Sequence, residues 1–145
     1  MNTELFYVLK PAILVVTIIS LVGCVNGESV TKREYSKTID KSITADFMYG
    51  EYPQLSSCFT EDKSSLKKSL DQALDNCRQN QLAKISDNEM LSVASQQNFT
   101  KRVTKCGLFD YLAKHQDTYK GKQDGSCSLV SRMYRNITQK NVDVF

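Results

Sequence analysis

Outside its first 27 residues the sequence is poor in apolar side chains. The 145-residue chain is 41% hydrophobic, but residues 1–27 hold 17 of those side chains and the other 118 residues hold 42, about 36%. Ordinary domains run at roughly 45–50%, glycine included. Only one stretch approaches membrane length, which excludes a polytopic membrane protein, and 118 residues make one domain at most. The four cysteines of this body are separated by 18, 28 and 20 residues, so no CxxC redox motif or zinc knuckle exists. No glycine-rich phosphate loop is present. No strand-like alternation of any length occurs, so the body reads as all-α. Its charge is mild, 18 basic against 15 acidic residues, which argues against a nucleic-acid partner. There is one histidine, His115, on the flank of a helical stripe. It reads as a solvated side chain, with no serine, cysteine or carboxylate pattern around it to suggest a triad. The expectation is therefore no enzyme, no metal and no cofactor.

The apolar leader is informative. Ala12–Val25 is nearly continuous Ile, Leu and Val. About fourteen apolar residues is short for a membrane span and suits a signal-peptide core. Two cleavage readings stand. Val25 and Gly27 fit a plain secretory cut after residue 27, giving a mature chain that starts at Glu28 and is secreted. Leu21-Val22-Gly23-Cys24 resembles a bacterial lipobox, which would lipidate Cys24 and anchor the chain to an outer membrane. Either reading leaves Cys58, Cys77, Cys106 and Cys127, an even number in a small exported body, as two disulfides.

Helical periodicity organises the rest. From Glu61 to Asn80, Leu66, Leu70, Ala73, Leu74 and Cys77 form one stripe, with Lys67, Lys68, Asp71, Asp75 and Arg78 outside it. Glu61 and Asp62 sit at the helix start, where they complement its dipole. Ser86-Asp87-Asn88-Glu89 has the form of a capping box opening a short run through Met90, Leu91, Val93 and Ala94. A longer stripe follows on Phe99, Val103, Cys106, Phe109, Leu112 and Ala113, in which Gly107 is a blemish costing about 1 kcal/mol. Ser126 is expected to cap a last helix carrying Cys127, Val130, Met133, Tyr134 and Ile137. In the N-terminal segment, 28–57, Tyr35, Ile39, Ile43 and Phe47 recur every four residues, compatible with one helix before the break at Met48–Pro53. The organisation expected is thus a signal peptide at 1–27, this segment at 28–57, and a helical domain at 58–145 with two disulfides. Asn98-Phe99-Thr100 and Asn136-Ile137-Thr138 are glycosylation sequons, Asn98 and Asn136 being acceptors in a eukaryotic secretory pathway. Lys101, Arg102 and Lys105 cluster on one side of a helix as a candidate glycosaminoglycan patch.

The cysteine-and-helix pattern from Cys58 onward resembles the short-chain four-helix cytokines, of interleukin-4/interleukin-13 type. The matching features are Cys58, the helix with Leu66, Leu70 and Leu74 ending at Cys77, and the polar crossover Lys84-Ile85-Ser86-Asp87. After it come Val93-Ala94-Ser95, the sequon at Asn98, the run Phe99–Cys106, and Asp124-Gly125-Ser126-Cys127 before a helix with Leu129, Met133 and Tyr134. The resemblance covers about 88 residues; the family's fourth helix and last two cysteines have no counterpart in it. It implies a small disulfide-braced helical bundle acting as a secreted ligand for a type I cytokine receptor in immune signalling, with a cell-surface receptor as partner and no cofactor. It also implies pairing of Cys77 with Cys127, leaving Cys58 and Cys106 to each other. The competing expectation is an outer-membrane lipoprotein with a binding or secretion-assembly (pilot-type) role, membrane-bound through Cys24. A third is a carrier of a small apolar ligand held between the helices.

Overall fold

Short polar residues start four of the described helices. A computed structural model describes residues 28–121 and 125–138, without the side chains of 40, 41 and 138; the leader and Cys24 lie outside the described residues. Strand β1 (Val30–Thr31) leads into α1 (Lys32–Ser42), α2 (Ala45–Glu51), α3 (Gln54–Ser57) and α4 (Lys63–Leu82). Strand β2 (Met90–Leu91), α5 (Val93–Lys114), 3-10 turns at Gln116–Thr118 and Gly125–Cys127, and α6 (Ser128–Thr138) complete it. Thr31 and Glu34 form a reciprocal capping box on α1, and Thr44, Asp62 and Ser92 cap α2, α4 and α5 by accepting from backbone N–H groups three residues on. The described body is mostly helical, as its periodicity predicts, apart from a two-residue antiparallel ribbon pairing Val30 with Leu91 and Thr31 with Met90.

The N-terminal segment does not form one helix. Backbone φ/ψ is extended at Ile43 and Thr44, ending α1 and capping α2. Asp71 of α4 reinforces the break: its carboxylate accepts from the Ala45 N–H at 2.7 Å and from Lys67 Nζ at 3.0 Å. Tyr35, Ile39 and Ile43 still reach the core, joined by Ala45, Met48 and Tyr49, whereas Phe47 is only half-buried. Tyr35 meets Phe99 edge-on and donates to the Gln96 carbonyl or Thr100 hydroxyl, both 2.9 Å away, so this segment shares one core with α5.

Ser86 caps no helix. Glu89 N–H donates to the Ser86 carbonyl in a turn, and the Glu89 carbonyl accepts from Lys32 N–H. Lys32 Nζ reaches Asp87 at 2.6 Å and the Ile85 carbonyl at 2.8 Å. These contacts commit the segment to the ribbon, and the helix starts only after Ser92. Ser126 lies in a 3-10 turn ahead of α6, whose Leu129 N–H donates to Gln54 Oε1 of α3 at 2.9 Å. Val130 and Met133 are buried, with Tyr134 and Ile137 packed at the core edge.

Helices α4 and α5 run antiparallel through the centre, and α4 buries the stripe its sequence predicts. On α5 the buried face is turned from the expected one. Phe99, Val103, Leu108, Tyr111 and Leu112 are inside with Gly107, while Phe109 and Ala113 are exposed and Cys106 is half-buried. Gly107 is the cause: it lies directly on Leu74, letting the two backbones close together. That approach puts Cys77 opposite Cys106, with Cα atoms 5.9 Å apart, and these two form a disulfide. The second joins Cys58, at the end of α3, to Cys127, at the start of α6, with Cα atoms 5.8 Å apart. The pairing implied by the cytokine resemblance, Cys77 with Cys127 and Cys58 with Cys106, is therefore not the one formed. Cys77 faces the neighbouring antiparallel helix and Cys58 faces α6. Among the described residues no helix is long and apolar enough to cross a membrane.

Candidate functional site

His115 is not solvated. It closes α5, its N–H donating to the Tyr111 carbonyl, and its ring packs against Tyr111 and Phe59 at centroid distances of 4.9 and 6.1 Å. Only 5% of the residue is exposed. A buried imidazole needs partners for both nitrogens, and the fold supplies them from two distant points of the chain. Nδ1 lies 2.6 Å from Glu61 Oε1 and Nε2 lies 2.7 Å from Ser69 Oγ. Thr118 donates to the same Glu61 oxygen at 2.8 Å.

Each partner is placed by its element. Glu61 precedes the Asp62 cap; Asp62 takes the helix N-terminus and leaves Glu61 for the histidine. Ser69 stands two turns into α4 on its core-facing side, 7% exposed, reaching the last residue before the 3-10 turn of Thr118. Backbone pairing of Thr60 N–H with the Thr118 carbonyl, and of Lys120 N–H with the Cys58 carbonyl, holds the two loops together.

The hydrogen bonds from His115 and then Thr118 hold the Glu61 carboxyl below its ordinary pKa. An ionised carboxylate only accepts, so the proton of neutral His115 belongs on Nδ1 and Nε2 accepts from the Ser69 hydroxyl. Ser69 and His115 line an open depression of about 220 Å³ whose other walls are Glu61, Ser65, Lys68, Gln72 and Lys114, all polar. The serine, histidine and carboxylate that sequence spacing does not suggest are thus brought into a continuous hydrogen-bonded line. One local signal pointed to it. Ser69 falls beside Leu66, Leu70 and Ala73 on the buried side of α4, where a hydroxyl requires a partner.

The other sequence-level sites are dispersed. Lys101 and Arg102 are exposed and Lys105 half-exposed on α5. Asn98 is exposed on the same helix, and the hydroxyl of its sequon threonine, Thr100, contacts Tyr35. Asn136 is half-buried on α6. At helical spacing, Asn98, Arg102, Lys105, Phe109 and Ala113 share one face of α5, and Phe109 is 49% exposed at its centre. Ligand atoms of Cys77, Cys106 and Asp110 lie within 4.8 Å of one another, but both sulfurs are consumed by the disulfide, leaving no thiolate for a metal.

Against known proteins, the chain matches no family model, no curated protein and no solved structure.

Proposed function

We propose that this chain is a secreted helical signalling protein, a cytokine-like ligand of a cell-surface receptor of the type I cytokine class, with a fold related to the short-chain bundles it resembles. The observation that carries this reading is the outer face of α5. Phe109 stands 49% exposed on a helix whose other large apolar residues are buried, with Lys105 one turn and Arg102 two turns before it. An exposed aromatic anchor with an arginine on the same helix face has the composition of a binding hot spot. The two disulfides support it too: Cys77–Cys106 ties α5 to α4 beneath that face, and paired cysteines in a small domain are the usage of exported proteins. Acceptance of glycan at Asn98 and of glycosaminoglycan at Lys101, Arg102 and Lys105 belongs to the same proposal.

Binding of the purified mature chain to an array of type I cytokine-receptor ectodomains by surface plasmon resonance tests it. Phe109→Ala is expected to weaken binding at least tenfold, a loss of about 1.4 kcal/mol, while leaving the thermal midpoint within 2 °C or so. Mass spectrometry of the natural N-terminus is the second arm. Glu28 as a free amine agrees with secretion; a diacylglyceryl Cys24 replaces the reading with the lipoprotein one. Absence of any receptor binding overturns it.

A further inference from the structure

We propose that Ser69, His115 and Glu61 form a hydrolytic centre for short-chain carboxylic esters, an activity separate from receptor binding. Three features converge on it. The nucleophile–base contact is 2.7 Å and the base–carboxylate contact 2.6 Å, both within the reach proton transfer requires. The carboxylate is itself held by the Thr118 hydroxyl, which orients the line from behind. Ser69 and His115 both border an opening to solvent, which a purely internal polar contact does not need.

In the first half-reaction Ser69 Oγ attacks the ester carbonyl carbon, and its proton passes to His115 Nε2. Lys68, Gln72 and Lys114 border the same opening and offer N–H donors to the oxyanion of the tetrahedral intermediate. Collapse breaks the carbon–alkoxide bond; the alkoxide takes the proton from Nε2 and leaves as the alcohol. In the second half, water loses a proton to Nε2 while its oxygen attacks the acyl carbon. Collapse breaks the bond between the acyl carbon and Ser69 Oγ, Oγ takes the proton back from Nε2, and the carboxylic acid departs. Glu61 is a positioning residue throughout, keeping the Nδ1 proton in place. Substrate class follows from the lining. The opening, about 220 Å³ in volume, admits an acetyl-sized acyl group against the aliphatic stems of its polar residues and is too small for a long chain.

The full mature chain with both disulfides formed is the material for the test. A fluorophosphonate probe with peptide mapping should place the adduct on Ser69. Hydrolysis of p-nitrophenyl acetate should exceed the buffer rate and fall at least ~100-fold in Ser69→Ala. Glu61→Gln should lower kcat by a factor of about 10² or more with KM unchanged, because the carboxylate acts through the imidazole. Labelling confined to lysines, or turnover that is the same in Ser69→Ala, overturns the proposal. The labelling needs no variant, so a failure of Ser69→Ala to fold leaves the test intact. None of these readouts involves a receptor, so this activity and receptor binding stand or fall separately.

Discussion

A Cβ placed on Gly107 would lie 2.6 Å from Leu74 Cδ2 and 3.0 Å from Leu74 Cα. In a free helix, alanine at this position would gain about 1 kcal/mol. Here it would have to push apart two buried helices, and overpacking costs about 1–3 kcal/mol. Leu74 is itself buried and has nowhere to retreat, so the steric term wins. Gly107→Ala is expected to lower stability by about 1 kcal/mol or more, read from urea denaturation; a rise in midpoint would show that the helices separate freely. His115 teaches the same lesson. Its position at the flank of an apolar stripe marks it as surface, yet Glu61 and Ser69 close around it from residues 54 and 46 positions away in the chain.

At the scale of elements, each helix is locally encoded and each neighbour is not. The α4 stripe was legible because its period recurs every three or four residues and nothing distant disturbs it. On α5, Phe99, Val103 and Leu112 lie inside as their period predicts, whereas Phe109 and Ala113 do not, because the seat of Gly107 on Leu74 turns the buried face toward Leu108 and Tyr111. The disulfides link the elements that packing makes adjacent. In the chain-entropy picture, the Cys58–Cys127 link, spanning 69 residues, is worth about 4.5 kcal/mol, and the Cys77–Cys106 link, spanning 29, about 3.5 kcal/mol. Against a total of roughly 5–15 kcal/mol, either is a large share. Replacing Cys58 and Cys127 together by alanine should therefore lower stability more than replacing Cys77 and Cys106, measured by denaturant unfolding. Peptide mapping of the unreduced chain should recover the two links as named; a Cys77–Cys127 peptide would refute this arrangement of helices.

For the whole molecule, the titrating groups predict a stability plateau with two different edges. Hydrogen bonds lower the carboxyl pKa of Glu61 through His115, Asp87 through Lys32 and Glu34 through Thr31. A lowered carboxyl stabilises the fold above its unfolded value, about 4.3 for Glu and 3.9 for Asp, and that stabilisation is lost as pH falls through the folded values. At the other edge, burial raises the phenols of Tyr35, Tyr49, Tyr111 and Tyr134. Tyr111 also donates to the Leu55 carbonyl. Their contribution is complete below pH of about 10 and is lost as pH rises toward their folded values. Thermal midpoints should thus be level from about pH 5 to 9 and decline outside it. Glu61→Gln should flatten the acid edge and leave the alkaline one unchanged; an unaltered acid edge would remove Glu61 from this account.

Composition and spacing were enough to establish a mostly helical, lean body cross-linked through four cysteines, because helical period and cysteine number are local or countable properties. The α4 stripe was legible on the same grounds. Which cysteines pair, where Tyr35–Phe47 breaks, which face α5 buries and what surrounds His115 depended on which helices lie against each other. Those contacts join residues 26 to 69 positions apart, far beyond the reach of a repeat of 3.6 residues. The close seat of Gly107 on Leu74 and the Asp71 contact at the head of α2 decided them, and neither exists until the chain has packed.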